Sequence, residues 1–160
     1  MPSARTRSSS RAQRHFTGSP WEPKVGYCRA LRVGDLVYVS GTAASAPGGG
    51  IAAPGDPYGQ ARRCLEIIAD ALKALGADVS HVVRTRMFVA DASRWEEYGR
   101  AHGEVFRDHP PAMAMLEVKF VDPAMLVEIE ADAVVPEAPR RSPRRTARRT
   151  SRPKARKRRR

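Results

Sequence analysis

The sequence predicts an α+β fold: one mixed β-sheet with two helices packed on one face. Three observations carry that expectation. Two stretches place apolar residues at helical spacing. Several shorter stretches are β-branched or strictly alternating, and the segments run in the order ββ–α–β–α–ββ. The third observation is where the charge lies. The 160 residues carry a net +12. Residues 137–160 hold eleven Arg and two Lys against one Glu, and residues 1–15 hold four Arg and no acid. Residues 16–136 hold twelve bases and sixteen acids. A mildly acidic body over 16–136 is therefore expected between a disordered basic arm, 1–15, and a disordered Arg-rich tail, 137–160. The body is long enough for one core and too short for two.

Each element has its own reason. "YCRALRVGDLVYVSG" is two β-like runs about Gly34-Asp35, a hairpin signal. "TAASAPGGGIAAPGD" reads as loop. Its glycines lack the Lys-Ser/Thr of a phosphate-binding loop and the strand-to-helix setting of a dinucleotide site. Asp56 is an N-cap with Pro57 at the first helical position. Ala61, Cys64, Leu65, Ile68, Ala71, Leu72 and Leu75 then form one stripe, which Gly76 ends. Cys64 on that stripe reads as a buried structural thiol. "SHVVRTRMFVAD" is a strand, with Val83, Thr85, Met87 and Val89 to one side and Arg84, Arg86 and Phe88 to the other. "SRWE" at 93–96 reads as a capping box. It opens a helix with Trp95, Tyr98, His102, Val105 and Phe106 inward and the polar edge of His102 wet. "AMAMLEVKF" and "MLVEIEADAVV" are the last strands. In the second, Val127, Ile129, Ala131 and Ala133 fit under the helices. Glu128, Glu130 and Asp132 face away and need water, or Arg84 and Arg86.

Several function classes find no support. No segment is apolar for long enough to cross a membrane, and the N-terminus lacks the apolar stretch of a secretory signal. Its Arg- and Ser-rich composition is loosely that of an organellar transit peptide, without the apolar face. Cys28 and Cys64 give neither a disulfide framework nor zinc spacing, and the four histidines are scattered. A reducing, cytoplasmic setting without metal or cofactor is expected.

"GYCRALRVGDLVYVSGT", "GDPYGQARRCLEIIADALKALGAD", "VVRTRMFVAD", "HPPAMAMLEV" and "LVEIEADAV", in this order, resemble the RidA/YjgF family. These are reactive intermediate (imine) deaminases that also carry the label endoribonuclease L-PSP. The resemblance covers about residues 15–135. It implies a chorismate-mutase-like fold and a homotrimer whose sheets form a central barrel, with three small-molecule clefts between subunits. There, deaminating members hydrolyse imines and enamines without cofactor. It further implies that an arginine early in the penultimate strand grips the substrate carboxylate. A glutamate on the last strand places or activates water, and a tyrosine and the "SG" turn line the pocket.

The match is partial. The family's "PARS" falls on Pro111-Ala112-Met113-Ala114, so Met113 stands where the arginine would be. Met115 replaces a cysteine and Gly99 an asparagine. Tyr27, Gly41 and Glu128 are retained. Methionine donates no hydrogen bond. Leaving a carboxylate unpaired in a half-buried cleft costs about 2–5 kcal/mol, tens- to thousands-fold in affinity.

Three readings follow. In the first, the cleft turns over a different carbonyl-type metabolite, with Glu128 as general base and Tyr27 as donor. Met113 and Met115 would offer an apolar wall, and Arg84 or Arg86 would have to restore the missing charge. In the second, the cleft binds a small ligand without turnover. In the third, the tail "RRSPRRTARRTSRPKARKRRR" over 140–160 binds nucleic acid without sequence preference. Glu128 could equally be a solvated acid and the methionines plain packing. No histidine pair or His–Lys set supports RNA cleavage.

Overall fold

A computed structural model describes residues 12–135. Six strands form one sheet in the order β1-β2-β3-β6-β4-β5. They are β1 (Gln13–His15), β2 (Ala30–Val33), β3 (Leu36–Ala43), β4 (Val82–Val89), β5 (Ala112–Glu117) and β6 (Val127–Val134). The helices are α1 (Trp21–Val25), α2 (Pro57–Ala74) and α3 (Trp95–Phe106). Only β4 and β5 pair in parallel, joined through α3; every other pair is antiparallel. The expected α+β class and the mixed sheet are observed.

The hairpin closes where expected, with Val33 opposite Leu36. Its two-residue loop needs a positive φ, which Gly34 supplies at 66°. Asp56 caps α2 by accepting from the Gly59 N–H at 3.0 Å. The whole predicted stripe of α2 is buried. It lies on Val37, Val39, Val127, Ile129, Ala131 and Ala133, which form the inner face of the sheet and are at most 3% exposed. Burial of this kind contributes about 25 cal/mol per Å² and is the main force holding the layers together.

The structure departs from the expectations at six points. The basic arm gives up its last three residues to the sheet: Gln13–His15 pair with Arg32–Ala30. An edge strand held by backbone bonds shows no apolar alternation to read. The short helix α1 was not expected. Glu22, 3% exposed, anchors it by accepting from Thr17 N and Oγ1 and from Gly18 N. On β4 the register against β6 shifts between Val82 and Arg84. That bulge turns Val82 inward and leaves Val83 49% exposed. Ser93 is not a capping residue; Asp91 accepts from the Ser93 N–H and hydroxyl to cap the turn before α3. Trp95, in the first turn of α3, is 58% exposed. The edge of His102 is not wet: the residue is 8% exposed, and its Nε2 lies 2.9 Å from Thr85 Oγ1.

The Arg-rich tail and the first eleven residues lie outside the described residues. Among the described residues, no helix is long and apolar enough to cross a membrane, and no group of three His, Cys, Asp or Glu could hold a metal ion.

Candidate functional site

Helices α2 and α3 cover one face of the sheet and leave the other open along β6 and β4, with α1 beside the β2–β3 end of that open face. On β6 the open face carries Glu128, Glu130 and Asp132, as the alternation predicts. Two of these acids are neutralised. Arg86 on β4 donates to Glu130 at 3.3 Å and to Asp132 at 3.2 Å. Arg86 is therefore an ion-pair partner, and Arg84 makes no ion pair among the described residues.

Glu128 is different. It is half-buried, opposite Phe88 on one side and Ala43 on the other. No described residue donates a hydrogen bond to it. Burial, then the nearby Glu130, push its carboxyl above the ordinary carboxylate range, and Arg29 draws it partly back.

The carboxylate rests on Gly41. A Cβ at position 41 would overlap Glu128 Oε1 and lie 2.9 Å from its Cδ. Only glycine lets the strand and the carboxylate come this close. Gly41 lies in a register shift between Val39 and Thr42, where β3 bulges away from β6. A bulge leaves ladder carbonyls without partners. Here Arg29 meets them: Nη1 donates to Gly41 O at 2.6 Å, Thr42 Oγ1 at 2.9 Å and Ser40 O at 3.3 Å. Nη2 donates to the Tyr27 hydroxyl oxygen at 3.3 Å, with the guanidinium carbon 5.5 Å from the Tyr27 ring centre.

Tyr27, Gly41 and Glu128 therefore belong to one constellation, joined by Arg29. Sequence reasoning missed Arg29. The available signal was that Arg29 alternates with Tyr27 and Leu31 in the run that leads into β2. Beside them lies a groove of about 700 Å³ whose walls include Phe16, Pro23, Tyr27, Leu31, Tyr38 and Ser40.

Met113 and Met115 are not in this constellation. They lie on the edge strand β5, opposite Thr85 and Met87 of β4. Directly paired residues share a face, so both methionines stand on the helix-covered side. Met115 packs against the core, whereas Met113 is 46% exposed.

The fold and this site define a small α+β protein whose sheet keeps one polar face open. The endoribonuclease L-PSP family model matches residues 17–135. An uncharacterised protein of Streptomyces coelicolor is 35% identical over 127 residues, covering 79% of this chain and 94% of its own. The 2-iminobutanoate/2-iminopropanoate deaminase of Mus musculus is 32% identical, covering 68% of this chain and 80% of its own. A crystal structure of a Mycobacterium tuberculosis member of the YjgF/YER057c/UK114 family is 42% identical, with a TM-score of 0.71 over 78% of this chain and 99% of that one. The chain belongs to the RidA/YjgF family, which is the endoribonuclease L-PSP family.

Proposed function

We propose that the protein is a cytoplasmic, cofactor-free homotrimer whose inter-subunit clefts hydrolyse an imine, enamine or related carbonyl-type metabolite lacking a carboxylate that must be gripped. The observation that carries this reading is Glu128: a half-buried carboxylate over Gly41, without a donor among the described residues. General acid–base chemistry uses a carboxylate with a raised pKa.

In the proposed reaction Glu128 takes a proton from water as the oxygen attacks the C=N carbon. The imine nitrogen is protonated, and the carbinolamine collapses to carbonyl and amine as the C–N bond breaks. Arginine has no acceptor, so in the Nη2–Tyr27 contact the tyrosine oxygen accepts and its own proton is free to donate to a ligand. The mouse relative's name supports the reaction class. Met113, where the resemblance places the carboxylate-binding arginine, argues for a neutral substrate.

Trimer formation is supported by the open face and the β5 edge. Leu36, Tyr38, Leu116 and Val134 are each between 37% and 48% exposed. Apolar residues gathered on one uncovered face mark a contact surface. In the trimer, Met113 of one subunit would approach the Tyr27–Glu128 constellation of the next.

The test is mass by light scattering, followed by ammonia or amine release from a panel of imines with and without a carboxylate. The expected result is a trimer that turns over neutral imines and loses at least about 100-fold in Glu128→Ala. A monomer, or equal rates for wild type and Glu128→Ala, overturns the reading. No turnover, together with a ligand-dependent rise in melting temperature, replaces it with non-catalytic ligand binding.

A further inference from the structure

Arg29 is 8% exposed and forms no ion pair with a carboxylate among the described residues. A buried guanidinium is costly unless its donors are satisfied. Its donors converge on one short piece of chain. Nη1 reaches Ser40 O, Gly41 O and Thr42 Oγ1, and the Thr42 hydroxyl in turn donates to Ser40 O at 2.7 Å. The Ser40 N–H closes the loop by donating to Arg29 O at 3.0 Å. Every one of these bonds falls on the bulge that carries Gly41, and Glu128 lies on Gly41. Arg29 is not among the walls of the groove, so it acts through other residues.

We infer that Arg29 is the positioning residue of this site: it holds the Ser40–Thr42 bulge in the shape on which Glu128 rests and fixes a buried positive charge beside that carboxylate. The inference rests on the reading of Glu128 as the working carboxylate, and it assigns the cleft's missing charge a different source. The charge comes from the chain just before β2, not from β5, and its hydrogen bonds are spent on the Ser40–Thr42 bulge and the Tyr27 hydroxyl. The groove beside the bulge is walled in part by Tyr27 and Arg14, while Glu128, like Arg29, is not among its walls.

The groups around Glu128 define the test. On its own strand Glu130 is paired to Arg86, on β4 it faces Phe88, and on β3 it faces Ala43. From α2, Cys64 lies beneath the strand, donating to Val127 O, and burial drives its thiol far up so that it stays neutral. Arg29 is thus the charge to remove.

Carbon-13 labelling of glutamate side chains in the full chain, with Glu128→Gln to assign the signal, reads the Glu128 titration without any substrate. In Arg29→Met the Glu128 midpoint moves upward and the Gly41 and Thr42 amide signals shift, while the Glu117 midpoint stays in place. In Arg29→Lys, which keeps the charge and loses the fork, the amide signals shift and the midpoint stays near wild type. If Arg29→Met does not fold, Arg29→Gln supplies the neutral arm. A folded neutral variant with the wild-type Glu128 midpoint and unmoved Gly41 and Thr42 signals overturns the inference. This readout does not depend on turnover, so a wild-type protein inactive on imines would defeat the proposed reaction without touching the role of Arg29.

Discussion

The two faces of β6 are built from alternate residues of one strand and follow different rules. On the helix side, Val127, Ile129 and Ala131 are fully buried, and each neighbour agrees with the next. On the open side, Glu130 and Asp132 share Arg86, but Glu128, two residues along, has no donor among the described residues. The first face is packed to hold the fold. The second is ordinary until the bulge of β3, where a glycine, a buried arginine and a half-buried carboxylate meet. A carboxylate whose pKa burial raises is the kind of group a working site uses.

The contrast can be broken or sharpened by substitution. The largest effect is expected on the packed face: Ile129→Ala should cost about 2–5 kcal/mol in chemical denaturation. Leu116→Ala, on the other face, should cost under about 0.5 kcal/mol in an isolated subunit. A much larger loss that depends on protein concentration would show that this face is covered by another copy.

Next comes Gly41→Ala, whose Cβ would overlap the Glu128 carboxylate. A loss of about 1–3 kcal/mol is expected. The double variant Gly41→Ala/Glu128→Ala should recover most of it, because the clash is with that side chain. Arg86→Ala should cost about 0.5–1 kcal/mol, since the pairs it breaks are partly exposed to solvent.

Acid should separate the faces in another way. Burial lowers the His102 pKa from 6.5, and the ring faces Thr85 and Phe106. The unfolded chain therefore takes the proton first as pH falls. Stability is flat with respect to this group above about pH 6.5, declines as pH drops toward the lowered folded value, and levels below it. His102→Leu should remove that slope in melting experiments between pH 7 and 4.

Most of the fold was legible because it rests on periodicity. The α2 stripe, the Gly34 hairpin and the two faces of β6 are all read from spacing alone. The failures were local. A three-residue edge strand has too few positions to show a pattern. A β4 bulge flips Val83 without changing composition. Asp91 took the capping role expected of Ser93 because both sit within two residues of the turn. In the candidate site, the sequence named Tyr27, Gly41 and Glu128, which lie together in the structure, and did not name Arg29. Periodicity says which side a residue takes, but the bulge that frees carbonyls for Arg29 is a long-range register event between β3 and β6.

The central claim is that Glu128 is kept for chemistry and Glu130 for the fold. Melting temperatures of Glu128→Gln and Glu130→Gln, measured from pH 4 to 8, test it directly. A raised pKa means that the folded chain holds its proton longer than the unfolded one, so stability falls as pH rises from 4.5 through the raised value. Glu128→Gln should therefore be more stable than wild type at pH 7, with the gain disappearing by pH 4. Glu130→Gln should be less stable at pH 7, having lost a partner of Arg86. Both variants destabilised alike at pH 7 would contradict the account.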